Sequence, residues 1–468
     1  MHQDLSNKYR FPVKMLTAAL LAAVALTGCG KFVDLDAPTT SIGVTEAFST
    51  ESAATSAITG LYNNSYVNYI MLYYTGLAGS SADDIKYSSS STSYDEFAAN
   101  AISVDNSLNG NNIWGYGYSE IYQINQALEG IDGSSGLSAD FKNQIKGEAL
   151  TWRAYMYFYL VNFYGDIPLV LSTDVAVSAK LPRTAADKVW QQIESDLTTA
   201  VGLLQPDYPS ADRARINKYA AEALLSRVYL FEKKYSEAEQ LATDVLSQTN
   251  TYSLNSDLNT VFSKDSKEII WQIVNTTGIS TFGANFLAAD GVLPAYVLYH
   301  DMAAAFEAGD SRKEAWVGET QIGGTAYYYV HKYKDRAGTG DEYNVMLRLA
   351  EVYLIRAEAR AEQNNLTGSL RDLNQVRERA DLAPLSGLSQ QDLVLAIQQE
   401  DKVELFGEWG HRWLDLKRWP SLEGKASRAD DILGSSKPGW QSTDVLYPIP
   451  AAQILSNTSL TQNPGYGS

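Results

Sequence analysis

Glu400, Glu404 and Glu408 recur every four residues and are followed by His411, Arg412, Asp415 and Arg418. Residues four apart share one face of a helix. The spacing could therefore set two carboxylates side by side for acid–base work of the kind that cleaves glycosidic bonds. It suits another use better. Acids and arginines at helical intervals, with Trp409, Trp413 and Trp419 among them, make ion pairs between helices, so no catalytic residue is expected here. The rest of the chain carries no HExxH, GxSxG, GxGxxG or P-loop pattern. Histidine is scarce, and Cys29 is the single cysteine, which excludes an internal disulfide or a cysteine-based metal site. Asp105–Gly110 begins like an EF-hand loop, but its twelfth position is Tyr116 rather than Glu. Neither a metal nor another cofactor is expected.

Helices must position whatever these residues do. Between Glu148 and Tyr164 the chain carries apolar or aromatic residues on every face, with Arg153 the only other charge. Such a helix is buried on all sides. Glu148, Arg153 and Asn162 make it too polar for a membrane span. Gly165 and Pro168 mark its end. The pattern Glu, then Arg five residues on, occurs at Glu148/Arg153, Glu222/Arg227 and Glu351/Arg356. Five residues turn a helix by about 500°, so the two charges face different ways and should pair with neighbouring helices instead. Helical hairpins stacked as a solenoid are predicted. The copies are unevenly spaced, unlike the roughly 34-residue tetratricopeptide period, so insertions must interrupt the array.

Helical spacing is read at 50–63, 113–131, 141–164, 184–204, 218–231, 235–246, 346–363, 366–380 and 393–419, and a strand at 268–274. Residues 79–94 are serine-rich and read as loop. Two loop-rich insertions are placed near 62–112 and 276–345. Lys8, Arg10 and Lys14 precede an apolar run, and Leu26-Thr27-Gly28-Cys29 follows. This is a secretory leader with a lipoprotein cleavage site, so residues 1–28 should be removed and Cys29 lipidated. Residues 29–50 read as an extended tether, and 51–468 as one domain. The formal net charge is −18, which argues against nucleic acid and against electrostatic docking on anionic lipid.

Glu148–Val170, Arg348–Glu358, Glu404–Trp419, Leu446-Tyr447-Pro448-Ile449-Pro450 and Gln462-Asn463-Pro464-Gly465-Tyr466 together resemble the SusD/RagB family of Bacteroidetes surface lipoproteins. The resemblance implies a mainly α fold: tetratricopeptide-like hairpins in an alpha-alpha superhelix, with a loop-rich, small-β ligand face. It also implies capture of a glycan or similar nutrient and its delivery to a SusC-like, TonB-dependent transporter. The protein would be anchored in the outer membrane and face the exterior. The alternative from the residues alone is a helical-repeat scaffold for protein or peptide partners. Aromatic rings stack on the C–H faces of sugars while carboxylates and amides take the hydroxyls. Tyr73, Tyr74, Asp83, Asp84, Tyr87, Tyr94, Trp114, Tyr296 and Tyr299 are the expected ligand contacts.

Overall fold

The computed structural model describes residues 43–275 and 277–467. The leader, Cys29 and most of the tether lie outside them. The tether's described end is not extended: Val44–Ala47 form a helical turn, and buried Phe48 sits against Gly130.

Two helices follow, α1 (Glu51–Tyr62) and α2 (Ser65–Ser81). They start at Thr50 and Asn64, whose side chains accept the N–H groups of Ala53 and Val67. After β1 (Ile85–Tyr87) and α3 (Thr92–Ala99), the chain winds through a π-helical stretch, Leu108–Gly115, into α4 (Tyr116–Gly133). The 62–112 region is therefore mostly helix, and the serine-rich 79–94 segment is helix, strand and helix rather than loop. Composition misled because its small residues pack closely: Gly76, Gly79, Ser80 and Ser81 are buried on α2. The EF-hand-like stretch is structural. Asn106 accepts the N–H groups of Leu108 and Asn109, and Asn109 donates to Pro448 O at 2.8 Å.

The central helix is α5 (Ala139–Tyr164), buried almost throughout from Ile145 onward. No described helix is long and apolar enough to cross a membrane, and the charges inside α5 are paired. Glu148 accepts from Tyr62 at 2.9 Å and from Arg215 at 3.0 Å. Arg153 grips Asp196 through two 2.7 Å bonds and reaches Asn125 at 3.0 Å. Trp152 meets Trp271 edge-on at 5.3 Å, and Tyr155 meets Trp409 likewise. Gly165 ends the helix at φ 69°.

The solenoid continues in order. α5 packs on α6 (Ala186–Leu203), α6 on α7 (Lys218–Phe231), and α7 on α8 (Tyr235–Leu246). A long insertion follows, after which α9 (Leu349–Glu362), α10 (Leu366–Arg379) and α11 (Gln390–Glu404) resume the stack, with α9 against α8. This excursion explains the uneven repeat. The expected pairing between helices is present, since Arg227 of α7 binds both carboxylate oxygens of Glu351 on α9. Arg356 of α9 holds Asp372 of α10 at 2.7 and 2.9 Å. Glu222 departs from the pattern, pairing with Lys218 one turn away at 3.4 Å.

The insertion holds more order than its glycine content suggested. β2 (Ile269–Ile273) pairs antiparallel with β6 (Asn344–Arg348), and β3 (Tyr296–Leu298) pairs with β1. β4 (Val317–Ile322) and β5 (Thr325–Val330) form a hairpin across Gly323-Gly324, both at positive φ. A two-residue turn with two left-handed residues matches the twist of the strands it joins. Met346–Arg348, read as the start of a helix, is strand, and α9 begins only at Leu349.

The 393–419 run is two helices. After α11 the chain turns through Leu405–Gly410 into α12 (His411–Arg418), with Gly407, Trp409 and Gly410 at φ 66°, 48° and 67°. A Cβ on Gly410 would strike Ala78 and the Tyr74 carbonyl of α2. The turn drives Trp409 into the core against Tyr155 and Phe282. It also carries Glu408 off the helical face and into a buried ion-pair network. Arg348 reaches Glu268 at 3.0 Å, Glu404 at 2.5 Å and Glu408 at 2.7 Å. Arg312 binds Glu400 at 2.6 Å and Glu404 at 2.8 Å, while Arg379 and Lys332 close the network on Glu404 and Glu408. These arginines hold the Glu404 and Glu408 carboxyls below the usual range despite burial.

Candidate functional site

The outer side of α2 is a row of tyrosines. Tyr66, Tyr69 and Tyr73 fall at intervals of three and four, one stripe of a helix. Tyr69 is 44% exposed. Tyr116, at the start of α4, joins them: its ring stacks on Tyr69 at 5.2 Å and lies 5.4 Å from Tyr66. On the other flank Tyr87 of β1 and Tyr94 of α3 stack at 3.8 Å and 11°. Both stand edge-on over buried Tyr296. Burial, then the neighbouring Tyr73 hydroxyl, hold the Tyr94 phenol above its ordinary value, so it stays a neutral donor. Past Tyr66 the row opens into a groove of about 800 Å³ whose walls include Trp114, Tyr118 and Tyr122. A smaller cavity of about 370 Å³, by Tyr299, Asp83, Asp301 and Lys437, lies elsewhere on the surface.

The structure divides the expected contacts. Tyr73, Tyr87 and Tyr94 belong to the row, and Trp114 lies at the groove although nearly buried. Tyr74 does not qualify. One residue past Tyr73, it faces inward, packs on Tyr159 and Phe163, and donates to Ile113 O at 3.2 Å. Tyr296 is 1% exposed and serves as the floor beneath Tyr87 and Tyr94. Asp83 is tied to Arg412 at 2.7 Å and Lys402 at 3.2 Å. Tyr299 donates to Ser80 O at 3.2 Å beside the smaller cavity. The smaller cavity's lysine is also committed, since Lys437 donates to Ser80 O, Ser81 O and Asn100 Oδ1 at 2.6–2.8 Å. Tyr66, Tyr69, Tyr116 and Tyr122 were not expected as contacts. The interval Tyr66-Tyr69-Tyr73 was the available signal, lost when the segment was read as loop.

Asp84 is corrected too, and its burial has a measurable consequence. One oxygen accepts the Gly407 N–H at 3.0 Å and the other has no partner among the described residues. Burial, reinforced by Asp83, pushes its carboxyl up to about 7. An unfolded Asp titrates near 3.9, so the folded state binds the proton more tightly. The associated stability is complete below about pH 4 and is lost as pH rises through about 7. Asp84→Asn should therefore raise the midpoint of thermal unfolding at pH 8, by roughly 2–4 kcal/mol in stability, and change little at pH 4. Equal effects at both pH values would refute this.

A second prediction concerns the floor. A Cβ on Gly76 would overlap the ring of Tyr296. Gly76→Ala should cost about 1–3 kcal/mol of stability. By displacing Tyr296 it should also weaken any ligand held by Tyr87 and Tyr94. Unchanged urea unfolding would count against the tight fit.

Comparison with known proteins agrees with this architecture. The SusD family model matches residues 300–466. A second model, described as starch-binding associating with outer membrane, matches residues 31–230. The two do not overlap and between them cover well over half of the chain. The chain belongs to the SusD family. A SusD-like protein of Formosa agariphila is 26% identical over 94% of this chain and 96% of its own length. Among solved structures, a SusD superfamily protein of Bacteroides vulgatus has a TM-score of 0.77 at 21% identity, covering 90% of this chain and all of that one. A laminarin-binding SusD-like protein has a TM-score of 0.73 at 22% identity, covering 89% and 100%. The SusD fold thus extends over nearly all the described residues, and the tyrosine row is carried on its α2–α4 region.

Proposed function

We propose that this SusD-family protein captures a glycan on the tyrosine row and hands it to a SusC-like, TonB-dependent transporter. A lipid on Cys29 would hold it in the outer membrane, facing the exterior. The observation that carries the proposal is the row itself. Five tyrosines on four elements line up: Tyr69 stacks on Tyr73 and Tyr116, Tyr87 stacks on Tyr94, and Tyr73 lies beside Tyr94. Neighbouring rings present a long apolar strip edged by neutral hydroxyls, as a sugar chain requires. The family description and the laminarin-binding relative support the same ligand class. The protein acts by binding, without bond cleavage. Glu400, Glu404 and Glu408, the acids a hydrolase would need, are each held by buried arginine or lysine. Handover favours moderate affinity, since a ligand held too tightly is not released.

The delivery step is tested by affinity purification of the full chain from its native membranes in mild detergent. A β-barrel transporter should co-purify in comparable amount, and Cys29→Ser should abolish both membrane retention and uptake of a fluorescent oligosaccharide. Purification without a barrel partner would refute delivery.

A further inference from the structure

The groove beyond Tyr66 has a composition unusual for this chain. One residue in five of the sequence is charged, yet none of the 16 residues lining the groove is. It is walled by α4, by the segment around Pro168 and Ser178, and by the C-terminal helical turn Ala451–Ser456. Some of its polar groups are committed, Tyr118 to Pro168 O at 2.8 Å and Asn457 to Leu181 O at 2.8 Å, and others are not. Trp114 is 4% exposed, and its indole N–H donates to no group among the described residues. The side-chain amides of Gln123 and Gln453, which both line the groove, likewise have no partner among the described residues. One indole N–H and two amides without protein partners among the described residues thus line the groove with the rings of Tyr66, Tyr118 and Tyr122.

Resting on the glycan reading above, we infer that this groove is a second subsite continuous with the tyrosine row, and that the sugar chain it takes is neutral. Continuity runs through Tyr66, which lines the groove and packs on Tyr116 of the row at 5.4 Å. Neutrality follows from two features. A uronate or sulfate entering the groove would leave water for a site with no cation to receive it. It would also approach a protein whose net charge is −18. Amides and an indole N–H suit hydroxyls, which both donate and accept.

The test is a titration of the full chain in detergent with two panels of defined oligosaccharides. One panel holds neutral gluco-, xylo-, manno- and galacto-oligomers of two to eight units; the other holds oligogalacturonates, alginate oligomers and sulfated oligomers. Binding should fall within the neutral panel and tighten with length. Gln123→Ala combined with Gln453→Ala should weaken the longest binder about tenfold or more and the shortest little, because only a long chain reaches both sites. These side chains have no hydrogen-bond partners to lose among the described residues, so thermal unfolding should be unchanged. A ligand in the charged panel, or equal affinity of the double variant at every length, would overturn the inference. In either case loss of binding in Tyr94→Ala would leave the tyrosine row standing as the capture site. Failure of both panels would overturn the capture reading together with this one.

Discussion

Arg348→Met should lower the stability of this protein by about 3–5 kcal/mol, the largest effect expected of any single substitution. Arg348 is 2% exposed and serves three carboxylates on three separate segments: Glu268 beside β2, Glu404 at the end of α11, and Glu408 in the turn before α12. Its second Nη donates to the Glu404 carbonyl at 2.6 Å. Methionine has similar length but no charge, so the three acids would share only Arg312, Arg379 and Lys332. A carboxylate left buried without its partner either loses solvation or takes a proton, and both draw on folding free energy. Arg348→Lys should recover only part of the loss, because an ammonium cannot match the planar fork that Glu408 engages through Nε and Nη2. Urea unfolding measures this directly, and a change below about 1 kcal/mol in Arg348→Met would show that the network is dispensable.

The second large effect concerns ligand binding. Tyr69→Ala combined with Tyr94→Ala should reduce affinity for the bound glycan about 100-fold or more, at a cost of about 1–2 kcal/mol in stability from the lost stacking of Tyr94 on Tyr87. Each ring contributes stacking area on a sugar face, and an aromatic contact is worth about 0.5–1.5 kcal/mol beyond the area it covers. Tyr69 is 44% exposed and lies outside the core cluster, stacked on half-buried Tyr73 and Tyr116, so its removal opens no core cavity. Leu422→Ala, at an exposed leucine on another segment, is the control and should bind normally. A double variant that binds as well as the parent would place the ligand elsewhere.

The helical stack was open to sequence reasoning because its signal is local. The apolar pattern of α5 and the Glu/Arg echoes forecast buried helices and charges paired between neighbours, as Arg227 with Glu351 demonstrates. The site was harder for a physical reason. Tyr73 and Tyr74 are adjacent, yet one faces solvent and the other the core. Which is which depends on how α2 is rotated against α5 and α12, and no local pattern encodes that rotation. The small residues that let α2 pack closely also made its end look like a loop. The break at Leu405–Gly410 was hidden for a similar reason: Glu400, Glu404 and Glu408 keep helical spacing in sequence while the last reaches Arg348 from a turn. Their role as ion-pair partners was legible; their geometry was not.

Glycan capture on the tyrosine row is tested by binding of the purified full chain to an array of plant, algal, fungal and host polysaccharides. Selective retention on one neutral polymer is expected, at moderate affinity and lost in the Tyr69/Tyr94 double variant. No retention on any glycan, or retention that survives the loss of both tyrosines, would contradict it.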